Sequence, residues 1–269
     1  NTYEMVQDME IAGERSYVVN GSIKIAVEYI KSLKKSARPP FLLLHGWQGI
    51  GSVWKRFGVL DHIHEHHDCI LMDARGHGKS SKPHTVEAYS RKNIVGDIAA
   101  VLDHFQIKKA ILWGYSMGAM NSYLMVCDLP DRIHALVAGG FPPIKSGSGH
   151  AEYMTQLTAK MKDDPKAWIK MMLQFEGVSL PSDFDDFDPE ALSACIVTPY
   201  PDVEMAVIRT IEEQQIPVYF YLGLGEEERM VTGLKRVEAT MKKRGKKVDC
   251  TYRYIDKLTH VEVWQHNES

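Results

Sequence analysis

The sequence predicts one α/β domain built on a mainly parallel sheet. Two observations lead to this class. Apolar runs without polar alternation, such as Phe41–Leu44, are typical of strands that are buried on both faces. These runs alternate along the chain with segments of helical periodicity, which favours right-handed crossovers between parallel strands. The length of 269 residues suits one such domain with an insertion.

The first two strands form an exception to the parallel pattern. Asn20-Gly21 separates two strand-like runs, and this dipeptide is a strong signal for a two-residue hairpin. The predicted strands are Arg15–Asn20, Ile23–Ile30, Phe41–Leu44, Cys69–Asp73, a run from Ala110, Ile133–Ala138, Pro217–Leu222 and Lys247–Ile255. The predicted helices between them are Val53–Glu65, Ser90–Phe105, a helix from Ser116 to Cys127, and Met230–Arg244. We therefore expect an N-terminal antiparallel hairpin and helices on both faces of the sheet.

The alternation stops at Gly139–Pro143, and the residues from Ile144 to Ile216 show helical patterns without a convincing strand. Helices are predicted at Ala151–Lys162, Pro165–Phe175, Pro189–Ile196 and Asp202–Gln214. We interpret this segment as a helical cap over the sheet edge. The cap, 144–216, would separate a first core part, 1–143, from a second, 217–269. A helical layer without a role at a site is the alternative.

Composition excludes some function classes. A net charge of −3 gives no electrostatic case for nucleic acid, and no apolar run approaches the ~20 residues that span a bilayer. The four cysteines are isolated from one another: Cys69, Cys127, Cys195 and Cys250. They are interpreted as free thiols, which favours a reducing compartment and a cytoplasmic protein. The first residues are mostly polar and unlike a signal segment, although a removed leader stays open because the chain starts without Met.

The segment Gly114-Tyr-Ser-Met-Gly118 has the pattern G-x-S-x-G between a predicted strand and a predicted helix, which indicates a nucleophile elbow. Ser116 would occupy a strained turn with its hydroxyl over the end of the sheet. Side chains at positions 114 or 118 would collide with the neighbouring strand or helix, which explains the glycines. A Gly-rich turn with an incidental serine is the alternative, and the rest of the chain has to decide.

A serine nucleophile needs a base and a carboxylate that orients the base. His260 follows the last predicted strand and fits the chain order Ser…acid…His. The acid should follow the preceding strand, where Glu226, Glu227 and Glu228 stand together. Counting from the start of that strand gives Glu226, and counting from Gly225 gives Glu228. We favour Glu226, and Glu228 stays open.

Two backbone N–H groups are candidates for an oxyanion hole. His45-Gly-Trp-Gln-Gly49 follows a strand directly, and such an H-G-x-x-G turn can aim the N–H of Trp47 into the site. The N–H of Met117 would approach from the start of the helix after the elbow. His45 itself is expected to be a buried, hydrogen-bonded histidine rather than a base.

Other polar clusters are interpreted as structural. The loop Asp73–Ser80 lacks the spacing of phosphate-binding loops, so Asp73 and His77 are expected to hold a turn together. The histidine cluster His62–His67 is expected to be a solvated helix end, because a zinc site needs three or four convergent ligands. We therefore expect no metal and no organic cofactor.

Taken together, the sequence resembles the α/β-hydrolase superfamily, in particular its capped single-domain serine esterase and lactonase-like members. The segments that carry the resemblance are His45–Gly49, Asp73–Ser80, Gly114–Gly118, Gly223–Glu226 and His260. Two features depart from the family pattern. The acid is glutamate rather than the commoner aspartate, and the chain ends nine residues after His260. The closing helix of the family is therefore expected to be short or missing, which leaves one flank of the sheet exposed or covered by a partner, with a dimer as one arrangement.

The resemblance implies two-step acyl transfer on a small or medium, largely apolar carboxylic ester or lactone. It also argues against the dehalogenase and epoxide-hydrolase branches, which use aspartate in place of Ser116. Carbon–carbon bond hydrolysis or peracid formation with the same triad is one alternative, and a non-catalytic ligand receptor is another. Apolar cap side chains would either pack or line an acyl pocket: Met154, Met161, Trp168, Met171, Met172 and Phe175.

Overall fold

The computed structural model describes residues 11–144, 150–168, 187–197 and 201–265. Its strands are β1 Glu14–Asn20, β2 Ile23–Ile30, β3 Phe41–Leu44, β4 Cys69–Met72, β5 Ala110–Tyr115, β6 Ile133–Gly139, β7 Val218–Gly223 and β8 Cys250–Ile255. Its helices are α1 Val53–Arg56, α2 Val59–Ile63, α3 Arg91–His104, α4 Met117–Asp128, α5 His150–Asp163, α6 Pro189–Val197, α7 Glu204–Gln214, α8 Glu228–Arg244 and α9 His260–Gln265.

The strands form one sheet of eight in the order β1-β2-β4-β3-β5-β6-β7-β8. The hairpin β1–β2 is antiparallel, β2 pairs antiparallel with β4, and all further neighbours run parallel. The predicted class is therefore confirmed, including the hairpin that Asn20-Gly21 indicated. In register, Leu44 lies beside Gly114, so the end of β3 borders the predicted elbow at the end of β5.

The unbroken apolar strands reflect burial on both faces of the sheet. Leu42 and Leu44 pack into a large cluster with residues of α3, α4, α7 and α8. Phe41 and Leu43 point to the opposite face, into a second cluster that contains Trp54 of α1, Leu60 of α2 and Val263 of α9. Because neighbouring residues of a strand face opposite layers, both positions of each pair must be apolar.

The predicted helix Val53–Glu65 is wrong as one element. The chain forms two short helices instead, because Gly58 takes a left-handed conformation with φ of 67° between α1 and α2. The other predicted elements lie within a few residues of the observed ones, and β8 starts later than predicted. No helix in the part of the chain that the structure describes is both long and apolar enough to cross a membrane. The four cysteines are free thiols, as predicted.

The helices of the predicted cap segment divide into two groups. Met161 of α5, Trp168 and Leu192 of α6 form a small cluster of their own, with Trp47 against it. Helix α7 packs instead into the large cluster of the sheet, through side chains such as Val207 and Ile211. The cap boundaries 144–216 stay a prediction. Met171, Met172, Phe175 and most of the predicted helix Pro165–Phe175 lie outside the described residues.

A buried ion pair ties the loop after β4 to helix α3. The guanidinium of Arg75 donates to both carboxylate oxygens of Asp97, at 2.5 and 2.7 Å. Asp97 also accepts a hydrogen bond from the amide of Asn20 at 2.8 Å. The side chains of Arg75 and Asp97 are 3% and 1% exposed, so each charge depends on the other for solvation.

We expect Asp97→Asn to lower the free energy of unfolding by about 3–5 kcal/mol, because it leaves the guanidinium of Arg75 buried without a counter-charge. Urea unfolding followed by circular dichroism measures the change. The matched control is Asp128→Asn, which breaks the exposed pair with Arg91 and should cost less than about 1 kcal/mol. Equal losses in the two variants would contradict the expectation.

Candidate active site

Ser116 lies in a strained turn between β5 and α4, with φ of 53° and ψ of −114°. Two close approaches fix this turn. A Cβ on Gly118 would lie 1.9 Å from the carbonyl oxygen of Leu44, and a Cβ on Gly114 would lie 2.3 Å from that of Gly118. No side chain fits either gap, so the two glycines of the pattern are required by backbone contact.

His260, the first residue of α9, connects Ser116 to a carboxylate. Its Nε2 lies 2.9 Å from Ser116 Oγ, and its Nδ1 lies 2.8 and 3.0 Å from the two carboxylate oxygens of Glu226. A carboxylate can only accept, so the network assigns the ring proton to Nδ1 and leaves Nε2 free to accept the hydroxyl proton of Ser116. The Glu226 side chain is 3% exposed, whereas that of His260 is 40% exposed and can be reached from solvent.

Two glycines after β7 bring Glu226 to the histidine. A Cβ on Gly223 would lie 2.0 Å from the carbonyl oxygen of Leu258, and the N–H of Gly225 donates to that same oxygen at 2.8 Å. The loop after β7 is thereby pressed against the residues that precede His260. Glu228 lies two residues further along, exposed in the first turn of α8. Of the two candidate acids, the structure brings Glu226 and not Glu228 to His260.

Sequence reasoning gave no role to Tyr115, which the structure places against the histidine. Its hydroxyl donates to the main-chain oxygen of His260, and the two rings lie 5.2 Å apart. Burial and the nearby charge of Glu226 raise the pKa of Tyr115 well above its usual value, so the hydroxyl keeps its proton. The ring fits because Gly140, with φ of 69°, has no side chain there. In the sequence, the one sign of this contact was an aromatic residue directly before Ser116.

The turn Gly46–Gly49 lies beside the serine. The N–H of Gly49 donates to the carbonyl oxygen of Gly46 at 3.0 Å, which closes the turn. A Cβ on Gly46 would lie 3.4 Å from Ser116 Cβ, so the turn is next to Ser116. The hydrogen bond that closes the turn comes from the N–H of Gly49 and does not use the N–H of Trp47. Met117 opens α4, so its N–H has no partner within the helix.

Hydrogen bonds beneath this turn involve His45 and Asp73. His45 Nε2 accepts the N–H of Ala74 at 3.0 Å, which leaves Nδ1 to donate to the oxygen of Gly46 at 2.7 Å. Asp73 accepts the N–H groups of Gly51 at 2.6 Å and Lys79 at 2.9 Å. Burial lowers the pKa of His45, so the ring stays neutral. Both side chains hold loops together, as predicted.

The histidine cluster before β4 makes main-chain contacts. His64 Nδ1 lies 2.6 Å from the oxygen of Leu60, and His67 Nδ1 lies 2.7 Å from that of Pro39. Among the described residues, no group of three or more His, Cys, Asp or Glu side chains is arranged to hold a metal ion. The cluster is thus a helix end fastened to its neighbours.

Comparison with known proteins agrees with this geometry. A family model described as the alpha/beta hydrolase fold matches residues 39–152. A solved structure from a study of carboxylesterases of Nitrososphaera gargenis aligns with a TM-score of 0.73, over 93% of each chain, at 16% identity. The chain has the α/β-hydrolase fold. The strained turn of Ser116 lies where the resemblance implied an elbow.

Curated relatives of this chain align over shorter stretches. A putative 2-succinyl-6-hydroxy-2,4-cyclohexadiene-1-carboxylate synthase of Bacillus subtilis is 30% identical over 126 residues, which cover 46% of this chain and 45% of the relative. Epoxide hydrolase 3 of Siraitia grosvenorii is 35% identical over 99 residues, which cover 37% of this chain and 31% of the relative. The chain thus spans less than half the length of these curated relatives. Their names describe different reactions, so the fold follows from the comparison and the reaction does not.

His77 makes the stability of this protein depend on pH. Burial lowers the pKa of His77 from 6.5 to about 3. Below pH ~6.5 the unfolded chain takes up a proton that the folded chain refuses, so stability is lost as the pH falls towards 3. Between about pH 7 and about pH 5, the free energy of unfolding of wild type falls, and we expect His77→Gln to make this fall smaller by roughly 2 kcal/mol.

Urea unfolding of both proteins across this range measures the difference. Between about pH 7 and about pH 8, where His77 is neutral in both states, the gap between wild type and variant should stay constant. Parallel stability curves for the two proteins below pH ~6.5 would refute the buried neutral His77.

Proposed function

We propose that this protein is a serine hydrolase that cleaves a carboxylic ester or lactone of a small to medium, largely apolar substrate. The observation that carries the proposal is the continuous line of contacts from Glu226 through His260 to Ser116 Oγ. A serine hydroxyl is a weak nucleophile until a neighbouring base can take its proton. The proposed steps need no metal and no organic cofactor.

In the acylation step, Ser116 Oγ attacks the ester carbonyl while His260 Nε2 takes the hydroxyl proton. Glu226, buried beside Nδ1, stabilises the imidazolium that forms. The carbonyl electron pair moves to oxygen, and the N–H groups of Met117 and Trp47 would donate to this oxyanion. When the tetrahedral intermediate collapses, the alcohol oxygen leaves with the proton from His260, and the acyl group stays on Ser116.

In the deacylation step, a water molecule takes the place of the alcohol beside His260. The histidine accepts a proton as the water oxygen attacks the acyl carbonyl, and the same two N–H groups would hold the oxyanion. Collapse breaks the bond to Ser116 Oγ, which regains its proton from His260. The 40% exposure of the His260 side chain supports this step, because water can reach the ring.

The preference for an apolar substrate rests on the side chains around the elbow. The thiol of Cys195, on α6, lies 3.8 Å from the sulfur of Met117. Burial raises the pKa of Cys195 to about 12, so the thiol is neutral. Trp47 packs against the apolar cluster that contains Met161 of α5 and Leu192 of α6. Uncharged, polarisable groups of this kind favour an apolar acyl or alcohol part.

Hydrolysis of short and medium nitrophenyl esters by wild type and Ser116→Ala tests the reaction. We expect the variant to lose at least about a thousandfold in kcat/KM, because no other group can take the role of the nucleophile. A fluorophosphonate probe should label wild type at Ser116 and leave the folded variant unlabelled.

Each other outcome identifies another function. Labelling without ester turnover would favour carbon–carbon bond hydrolysis on the same triad. Wild type that neither turns over esters nor reacts with the probe would overturn the hydrolase proposal and favour a ligand receptor.

The assignment of the acid has its own test. We expect Glu226→Gln to lower kcat by about a thousandfold or more, because the imidazolium loses its counter-charge and the ring its preferred tautomer. Glu228→Gln is the matched control on the same loop and should stay within about twofold of wild type, since an exposed carboxylate in the first turn of a helix contributes little. The reverse result would make Glu228 the acid.

A further inference from the structure

The turn that carries Trp47 is held from the side of α5 and α6 by three side-chain hydrogen bonds. The indole N–H of Trp47 donates to the main-chain oxygen of Leu192, on α6, at 3.1 Å. The amide of Gln48 accepts the indole N–H of Trp168 at 3.2 Å and donates to the sulfur of Met161, on α5, at 3.8 Å. The oxygen and the nitrogen of the Gln48 amide are therefore both hydrogen-bonded, the first to Trp168 and the second to Met161.

Gln48 is also a point of backbone strain. Its φ is 66°, in the left-handed region that residues with a side chain rarely adopt. Such a conformation persists where surrounding contacts hold it. Here the turn's own hydrogen bond, from the N–H of Gly49 to the oxygen of Gly46, spans Gln48, and the two contacts of the Gln48 amide add to it.

The partners of Gln48 are themselves fixed. Met161 is fully buried and Trp168 is 7% exposed. The backbone N–H of Trp168 donates to the carbonyl oxygen of Asp164 at 3.0 Å, and the carboxylate of Asp164 accepts the N–H of Ala167 at 2.9 Å. An amide held between two buried side chains has few positions open to it, and the turn that contains the Trp47 N–H is fixed with it at Gln48.

We propose that Gln48 is a positioning residue, which together with Trp168 sets the direction of the Trp47 N–H towards the oxyanion. This inference rests on the proposed function, since it concerns the charge that develops during acyl transfer. A donor improves catalysis only if it is already aimed at the oxyanion when the charge forms. Trp168 and helix α5 would thus contribute to the chemical step through the turn.

Packing alone is the competing explanation, since Trp47, Met161, Trp168 and Leu192 also form an apolar cluster. Packing would hold α5 and α6 in place whether or not Gln48 keeps its amide. A variant that keeps the apolar volume and removes only the hydrogen bonds separates the two explanations. Trp168→Phe removes the indole N–H and keeps a ring, and Gln48→Leu keeps a side chain of similar volume and removes both polar groups.

The experiment measures kcat and KM for a nitrophenyl ester together with the binding of two ketone inhibitors. A trifluoromethyl ketone adds to the serine and forms an oxyanion, whereas the matching methyl ketone binds without one. For each variant we expect kcat to fall by about tenfold and the trifluoromethyl ketone to bind about tenfold more weakly. These effects are smaller than the loss of about 100-fold or more in kcat that follows when an oxyanion donor is removed altogether. KM and the binding of the methyl ketone should stay within about twofold.

The double variant Gln48→Leu with Trp168→Phe should be no worse than Gln48→Leu alone, because both changes act through one hydrogen bond. The control is Glu190→Gln, which breaks the ion pair between α6 and Lys162 of α5 without a contact to the turn. We expect it to leave both inhibitors and kcat within about twofold of wild type. Melting temperatures of all variants show whether each is folded.

Each result decides the inference. If the two variants bind both ketones more weakly by the same factor, the contacts serve packing and the positioning role is overturned. The same conclusion follows if Glu190→Gln lowers kcat and inhibitor binding as much as the two variants do. An unchanged kcat in folded Trp168→Phe and Gln48→Leu would overturn it as well, while wild-type turnover would leave the hydrolase proposal intact. Wild type without turnover would overturn both. A selective loss of the trifluoromethyl ketone in the two variants supports the inference.

Discussion

The contact between Gly118 and the carbonyl oxygen of Leu44 is the constraint on which the site depends. The start of α4 lies so close to the end of β3 that a Cβ on Gly118 would be 1.9 Å from this oxygen. This approach fixes the turn of Ser116 and sets the turn Gly46–Gly49 beside it. A parallel sheet brings the ends of its strands to one edge, so backbone packing brings Ser116 and its neighbours together there.

Below that edge, the loops are held by buried polar groups. The buried pair of Arg75 and Asp97 fastens the loop after β4. The rings of His45 and His77 contact the main chain of the same loop, and burial lowers the pKa of both. Above it, the ring of His260 is accessible. The buried groups thus hold the loops in one geometry while the accessible ring faces solvent.

Local patterns predicted much of this arrangement. Continuous apolar runs marked the strands, two glycines marked the turn of Ser116, and strand length led to Glu226. Three features were not readable: the break at Gly58, the bond from Tyr115 to His260, and the bond from Trp168 to Gln48. The two bonds join residues 145 and 120 positions apart, so they depend on how separate elements pack. A left-handed glycine inside a helical pattern is likewise decided by tertiary contacts rather than by periodicity.

The bond from Tyr115 to the main chain of His260 links the motions of two groups that lie far apart in sequence. Tyr115 directly precedes Ser116 in the chain, so a displacement at the end of β5 carries both residues together. Through the phenolic hydroxyl it also carries the start of α9, where the imidazole of His260 is attached. Thermal fluctuations at this edge of the sheet should therefore be correlated between Ser116 and His260. The 2.9 Å distance between Ser116 Oγ and His260 Nε2 would then vary less than the position of either residue.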